Sequence, residues 1–259
     1  MQNSLVSVNI TTYNRSELLP RCLNSVLVQD YSNLEINVVD DCSTDNTKEV
    51  ISNFIKLDDR VNYYSHDRNK GNAFARNTAL SKCTGEYIAF LDDDDEWIDK
   101  SKICKQVEIF KKSKDLSLAV VCTGIVRVTD SGNGSVEVAK PPRQLKQAFL
   151  SGGVIHNSTA LVRGDVARKV NGFSVYVKRG IDSEFFRRLV IKWNYNVHFM
   201  SEITCKYYEN STVRLTKSSK IHHLIGHIWN LLSYFKFYIL YPKCLVTRVI
   251  RIIKVIVQK

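Results

Sequence analysis

Apolar residues follow two rhythms along the first two hundred positions, and the alternation between them predicts the fold. LVSVNITT (5–12), LEINVVDD (34–41), VNYYSH (61–66) and EYIAFLD (86–92) are short runs rich in β-branched and aromatic residues. They are too continuously apolar to be half-exposed, so they read as buried strands. Between them apolar positions recur every three or four residues. In SELLPRCLNSVLVQ, Leu18, Leu19, Cys22, Leu23, Val26 and Leu27 mark one face of a helix, with Ser16 as the expected N-cap and Pro20 tolerable near the first turn. STDNTKEVISNFIK, capped by Ser43 or Thr44, and NAFARNTALSKC follow the next two strands in the same way. Such alternation with short links predicts an α/β fold, a mostly parallel Rossmann-like sheet with helices on both faces, whose ligands bind at the carboxyl ends of the strands.

The pattern changes after about residue 115. LSLAVVCTGIVRVTD and SVEVAK flank a turn at Asp130, Ser131 and Gly132, which predicts a hairpin. STALVR, DVARKVN, DSEFFRRLVIK and YNVHFMSEIT then supply a strand, two helices and a late strand that complete one domain over residues 1–210. Residues 211–259 form a helical tail divided by Pro242. The part before Pro242 is long enough to cross a bilayer, but Asn230, Lys236 and three histidines make it a poor span. Its aromatics, among them Trp229, Phe235 and Tyr241, suit an interface instead. After Pro242, Leu245, Val249, Ile252 and Ile256 fall largely on one helical face and Thr247, Arg251, Lys254 and Gln258 on the other. That is the pattern of a helix lying on a membrane surface.

Charge strengthens this reading. The chain carries a net +11, yet nine of its 37 basic residues and none of its 26 acidic ones lie beyond residue 209. The body is therefore nearly neutral. A nucleic-acid binder would carry its basic residues through the fold, so no nucleic-acid partner is expected; an anionic membrane surface is. Seven cysteines without a CxxC pair support neither a zinc ribbon nor a complete disulfide framework. The first fifteen residues lack the basic and apolar regions of a signal peptide. The expected location is cytoplasmic, peripheral on the inner membrane.

Candidate chemistry clusters at the strand ends: Thr11 to Arg15, Asp40 with Asp41, Asp92 to Asp95, and Asp182 with Glu184. Any one cluster alone reads as caps and solvated loop acids. Their recurrence at one edge of the inferred sheet does not. Side chains alternate along an extended segment, so Asp92 and Asp94 share a side and suit a hard divalent cation, Mg²⁺ or Mn²⁺, completed by water and phosphate oxygens. Asp93 and Asp95 are left to support the loop and to cap a helix expected near Glu96 and Trp97.

VNITTYNR, VVDDCSTDNT, NKGNAFARNTAL, GEYIAFLDDDD, NGF and IDSEFFRRL together, in this order, resemble the family 2 inverting glycosyltransferases of the GT-A fold. The resemblance implies transfer of a hexose (glucose, galactose or an N-acetyl derivative) from a UDP-sugar to a saccharide on an undecaprenyl diphosphate carrier, in O-antigen or capsule biosynthesis. It implies that Thr11 and Tyr13 line the nucleoside pocket, that Asp41 recognises the base, and that Arg76 offsets the diphosphate charge. It further implies that Asp92 and Asp93 belong to the donor-binding set, that Asp94 binds the metal, and that Asp182 is the catalytic base. Ile181 stands where the family pattern has Glu, with Glu184 as a candidate substitute. Asn210 stands near a usual histidine. Cys42 is read as packing, and His156 as a structural histidine beside a strand, with a pocket position as the alternative. A nucleotidyltransferase would need a Gly-rich loop after the first strand, which ITTYNRSELL lacks. A degenerate, non-catalytic binding module is the other alternative.

Overall fold

The computed structural model describes residues 4–129, 132, 134–177, 179–209 and 220–257. In chain order its elements are β1 (Val6–Thr12), α1 (Leu19–Leu27), β2 (Leu34–Asp40), α2 (Thr47–Leu57), β3 (Val61–Ser65), α3 (Asn72–Lys82), β4 (Tyr87–Asp92), β5 (Glu96–Trp97) and α4 (Lys102–Lys112). Then come β6 (Leu118–Thr129), β7 (Val136–Glu137), α5 (Leu145–Ser151), a 3₁₀ turn at Asn157–Thr159, β8 (Leu161–Arg163), α6 (Gly164–Lys169), α7 (Ile181–Ile191) and β9 (Asn196–Glu209). α8 (Lys220–Ser233), α9 (Phe235–Leu240) and α10 (Pro242–Val257) follow.

The strands form one sheet in the order β3-β2-β1-β4-β8-β6-β9-β5, with β7 paired to β6. β1 to β4 are mutually parallel, and β8 runs antiparallel between β4 and β6. Alternate residues of β4 feed opposite cores. Tyr87, Ala89 and Leu91 meet α1, α2 and α4 through Leu23, Phe54 and Ile103, whereas Ile88 and Phe90 meet Leu80, Val166 and Phe185 of α3, α6 and α7. With helices on both faces, a central strand has no solvated side, so its sequence is apolar throughout. The α/β sheet with helices on both faces is the expected one, but it is mixed, because β5, β7 and β8 pair antiparallel with their neighbours.

Register decides where the polar strand ends go. Thr12 is paired with Asp40, and Thr11 with Asp92, so the last residues of β1, β2 and β4 lie side by side.

Several local expectations change. No helix begins at Glu96: Glu96 and Trp97 pair antiparallel with Lys206 and Cys205 of β9, and α4 starts six residues later. Asp93 and Asp95 therefore cap nothing. Ser16 and Ser43 are not N-caps either, because α1 starts at Leu19 and α2 at Thr47. Ser43 instead bonds through its N–H and hydroxyl to Asp40 Oδ1 (2.9 and 2.6 Å), closing a tight turn in which Cys42 takes φ 69°. Asp130 and Ser131 of the expected hairpin turn, like Asn210, lie outside the described residues.

The tail packs on the body. Tyr234, Tyr238 and Cys244 are fully or almost fully buried in the same core as Phe149, Leu150 and Phe185. No described helix is long and apolar enough to cross a membrane. Along α10, Val249 and Ile256 of the expected apolar face are exposed, while Cys244 and Arg248 are the buried positions. Polar chemistry holds Arg248 inward. Arg248 donates to Leu150 O (2.8 Å) and to the Tyr238 hydroxyl (3.0 Å), partners that only an inward-facing guanidinium reaches.

Candidate active site

A cavity of about 610 Å³ opens at the carboxyl ends of β1, β2 and β4. Thr11, Tyr13, Asp41, Arg76, Asp92, Asp93, Asp94 and Asp182 all line it, as do Arg15, His156, Arg179 and Tyr208. Thr11 and Asp182, 171 positions apart in sequence, thus share one space.

The four consecutive acids divide by burial. Asp92 and Asp94 are partly exposed, with side-chain accessibilities of 30% and 29%, while Asp93 and Asp95 are buried. Arg15 Nη1 donates to both Asp93 Oδ1 (2.6 Å) and Asp94 Oδ2 (2.7 Å), which pins the loop from the β1 side. Burial pushes the Asp93 carboxyl up to about 7 against the pull of Arg15. Burial also raises Asp95, with Asp92 and Asp94 adding like charge. Asp95 accepts from the Ser158 hydroxyl and from the Tyr208 N–H (3.3 Å), so it ties the end of β4 to β9. Arg21 completes the frame by donating to Asp94 O (2.7 Å) while stacking 3.7 Å from the centre of the Tyr208 ring.

Asp92 Oδ1 accepts from Arg76 Nη2 (2.6 Å) and from Asn157 Nδ2 (2.8 Å). Arg76 also sits 5.4 Å from the centre of the Phe173 ring, which holds its guanidinium at the cavity wall. Asp41 accepts from the N–H groups of Lys70 (2.8 Å) and Gly71 (2.7 Å) and from His66 Nδ1 (2.6 Å). These bonds shape the loop that opens α3. The Thr11 hydroxyl reaches Asn72 Oδ1 (3.4 Å) at the same loop. His156 bonds Glu137 (3.0 Å) and tilts against Tyr207, so it is a pocket-wall residue held by structural contacts.

Asp182 stands on the opposite wall, the second residue of α7. Gly180, just before the helix, has φ 65°, a left-handed conformation that glycine adopts without strain and that turns the chain into α7. No hydrogen bond or ion pair from a described residue engages the Asp182 carboxylate. Ile181 lines the cavity beside it. Glu184 is not a substitute here: it is buried on another face of α7, where Arg188 holds both its oxygens at 3.0 Å.

The sequence profile described as "Glycosyl transferase family 2" matches residues 7–170. The chain belongs to that family. Among curated relatives it is 36% identical over 141 residues to the putative teichuronic acid biosynthesis glycosyltransferase TuaG of Bacillus subtilis, 54% of each chain. It is 40% identical over 113 residues, 44% of each chain, to the Escherichia coli enzyme named UDP-Glc:alpha-D-GlcNAc-diphosphoundecaprenol beta-1,3-glucosyltransferase WfgD. The chain spans about half the length of these relatives. Its fold is similar to that of TarS from S. aureus, solved with UDP-GlcNAc (TM-score 0.69, 19% identity, 88% of this chain and 66% of that one). It is also similar to the mannosyltransferase PcManGT from Pyrobaculum calidifontis, solved with GDP-Man and Mn²⁺ (TM-score 0.67, 19% identity, 96% and 74%).

The acids of this family 2 member leave coordination sites that a hard divalent cation would fit. Among the described residues no three carboxylate, imidazole or thiolate groups converge, so there is no preformed cage. Both protein bonds to Asp92 fall on Oδ1, and Arg15 takes only one oxygen of Asp94. One or two carboxylates with open positions suit Mg²⁺ or Mn²⁺, which keep water and phosphate oxygens as their other ligands.

Arg21, Asn157 and Ser158 are site residues that the sequence did not single out, and Arg15, named within the Thr11 to Arg15 cluster, had no role assigned to it. Arg15 lies inside the VNITTYNR run, and a cation at a strand end facing four acids was its only signal. Ser158 and Asn157 carry no signal at all, since their place beside β4 depends on the antiparallel β8.

Proposed function

We propose that this chain is an inverting transferase that moves a hexose from a UDP-sugar to a saccharide carried on a lipid diphosphate. The observation that carries the reading is the uncommitted Asp182 carboxylate across one cavity from Asp92 and Asp94. A sugar hydroxyl of the acceptor attacks the anomeric carbon, its proton passes to Asp182, and the bond from that carbon to the diphosphate oxygen breaks with its electron pair leaving on UDP. Attack opposite the leaving group inverts the anomeric centre, so an α-linked donor gives a β-linked product. Arg76, at the cavity wall, would offset charge on the departing diphosphate. Asp94, with Asp92, would hold a Mg²⁺ or Mn²⁺ ion that supplies Lewis-acid relief of that charge. The printed name of WfgD, with its UDP-glucose donor and diphosphoundecaprenol acceptor, supports the donor and acceptor classes by family analogy.

A peripheral position on an anionic membrane follows from the tail. α8 exposes Ile221, Ile225, Ile228 and Leu232 at helical spacing, and α10 exposes Val246, Val249, Ile250, Ile253 and Ile256. No acidic residue occurs beyond residue 209, so the apolar stripe is flanked only by basic side chains. That combination suits a lipid surface.

The test is turnover of candidate UDP-sugars with Mn²⁺ and a lipid diphosphate saccharide. Asp182→Asn is expected to lower kcat by about 10²–10⁴-fold, the range for a general base, with the donor KM little changed. NMR of the product is expected to show inversion. An unchanged kcat in the variant, or a retained configuration, removes Asp182 from this role.

A further inference from the structure

A second cavity, of about 170 Å³, shares Val177, Arg179 and Gly180 with the first and is lined by α7 and by the tail helices α8 and α10. Its chemistry is the reverse of its neighbour's. Arg179, Arg187, Arg248 and Arg251 line it, with Glu184 as its only acid, and Glu184 is taken by Arg188.

Three of these arginines are set in a row by one short helix end. Successive carbonyls of α5 each accept from a different one: Phe149 O from Arg187 Nε (2.7 Å), Leu150 O from Arg248 Nη2 (2.8 Å) and Ser151 O from Arg251 Nη1. Arg187 and Arg248 are each 5% exposed. Burial, and after it the Arg248 charge, lowers the Arg187 pKa against the smaller pull of Glu184, so the two guanidinium groups lie close together. A buried group of like charges costs free energy that a bound anion removes. Gly226 lies in the middle of α8 on the cavity wall, and a side chain there would meet nothing within 4 Å. Glycine is a poor residue for a helix interior, and here it keeps the cavity open.

We infer that this arginine pocket binds the diphosphate of the acceptor, a diphosphate diester that joins a lipid to its sugar. The assignment rests on the transfer proposed above and extends it: a diphosphate held beside Ser183 presents the attached sugar to Asp182 across the shared Gly180 wall, while its hydrocarbon leaves along the exposed isoleucines of α8 and α10. Guanidinium groups bind phosphate oxygens in paired, charge-assisted hydrogen bonds, which a row of fixed arginines supplies without a metal.

The test is calorimetry on the full chain in EDTA, with inorganic diphosphate and farnesyl diphosphate as separate probes. Arg187 and Arg248 also hold α5 in place, so the variants are Arg251→Gln, whose side chain is exposed, and Gly226→Leu, which favours the helix while filling the cavity. The wild type is expected to bind both probes, farnesyl diphosphate more tightly, and each variant to weaken both by at least about tenfold. Gly226→Leu is expected to do so with an undiminished Tm, which a purely structural role would not produce. Unchanged affinity in both variants overturns the site. Farnesyl diphosphate binding no tighter than inorganic diphosphate overturns the lipid assignment and leaves a site for the free anion. Because binding is read without donor or metal, an inactive enzyme that still binds both probes counts against the proposed transfer and not against the pocket.

Discussion

The two cavities that meet at Gly180 handle charge in opposite ways. On the donor side, four aspartates are partly neutralised by the arginines set among them, and each ion pair is short: 2.6 Å for Arg15 to Asp93 and 2.6 Å for Arg76 to Asp92. On the tail side, three of the four arginines, Arg187, Arg248 and Arg251, donate to neutral backbone carbonyls. The first arrangement is electrically closed until a cation enters with its anionic substrate. The second is open to a bare anion. The difference gives the arginines unlike settings: in the donor cavity Arg15 cross-links the acid loop and Arg76 divides itself between Asp92 and the proposed diphosphate, whereas the tail-side arginines face their proposed ligand without such acid pairs.

Removing an arginine from each side breaks the comparison most sharply. Arg15→Met leaves Asp93 buried without its partner, and deleting one member of a buried pair costs about 3–5 kcal/mol. Arg251→Gln removes an exposed side chain whose recorded bond is to one carbonyl, and the expected change is within about 0.5 kcal/mol. Urea unfolding of the two variants is expected to separate them by several kcal/mol, with Arg15→Met/Asp93→Asn recovering part of the loss. Equal stabilities would show that the donor-side pairs do not hold the fold.

The lipid side of the comparison gives a smaller effect. Ile250→Asp with Ile253→Asp places two charges on the outward stripe of α10, where both residues are about half exposed. Each substitution removes about 1.5–3 kcal/mol of insertable apolar surface, so binding to vesicles with anionic headgroups is expected to fall by more than about tenfold. Tm is expected to stay within a few degrees, since neither side chain packs on the core. Undiminished sedimentation with vesicles would mean that the stripe meets something other than lipid.

How much of this was legible in the sequence follows from which interactions are local. β1 to β4 and their helices were readable because each strand is buried on both faces and each helix shows one apolar side, and both features are periodicities of the chain itself. The strand-end acids were readable for the same reason: parallel register brings Thr12, Asp40 and Asp92 to one edge. Arg15, Ser158 and the row of arginines on α5 depend on long-range contacts, the last across about a hundred residues. The helical pattern of α10 separates apolar from polar residues but does not say that Cys244 and Arg248 face the body. A run of acids before an aromatic resembles a helix start, which is why Asp93 and Asp95 read as caps, whereas the strand pairing of Trp97 with Cys205 leaves no local trace.

A third buried cation sharpens the contrast by having neither an acid nor a cavity. Lys102 is fully buried, donates to Gln106 Oε1 (2.7 Å) and lies 4.3 Å from the centre of the Trp97 ring. Burial lowers its pKa to about 7, against about 10.4 for a free lysine. Between those values the unfolded chain holds a proton that the folded chain has released, so stability rises with pH across the window; the penalty is fully present below about pH 7 and gone above about pH 10.4. Lys102→Met removes this term. The wild type is therefore expected to lose ground against the variant by up to about 1.4 kcal/mol per pH unit as pH falls from 10 to 7, read as the difference of two urea midpoints at each pH. A constant difference would mean that Lys102 keeps its proton in the fold, and that a lone buried ammonium here is tolerated by a polar neighbour and an aromatic face alone.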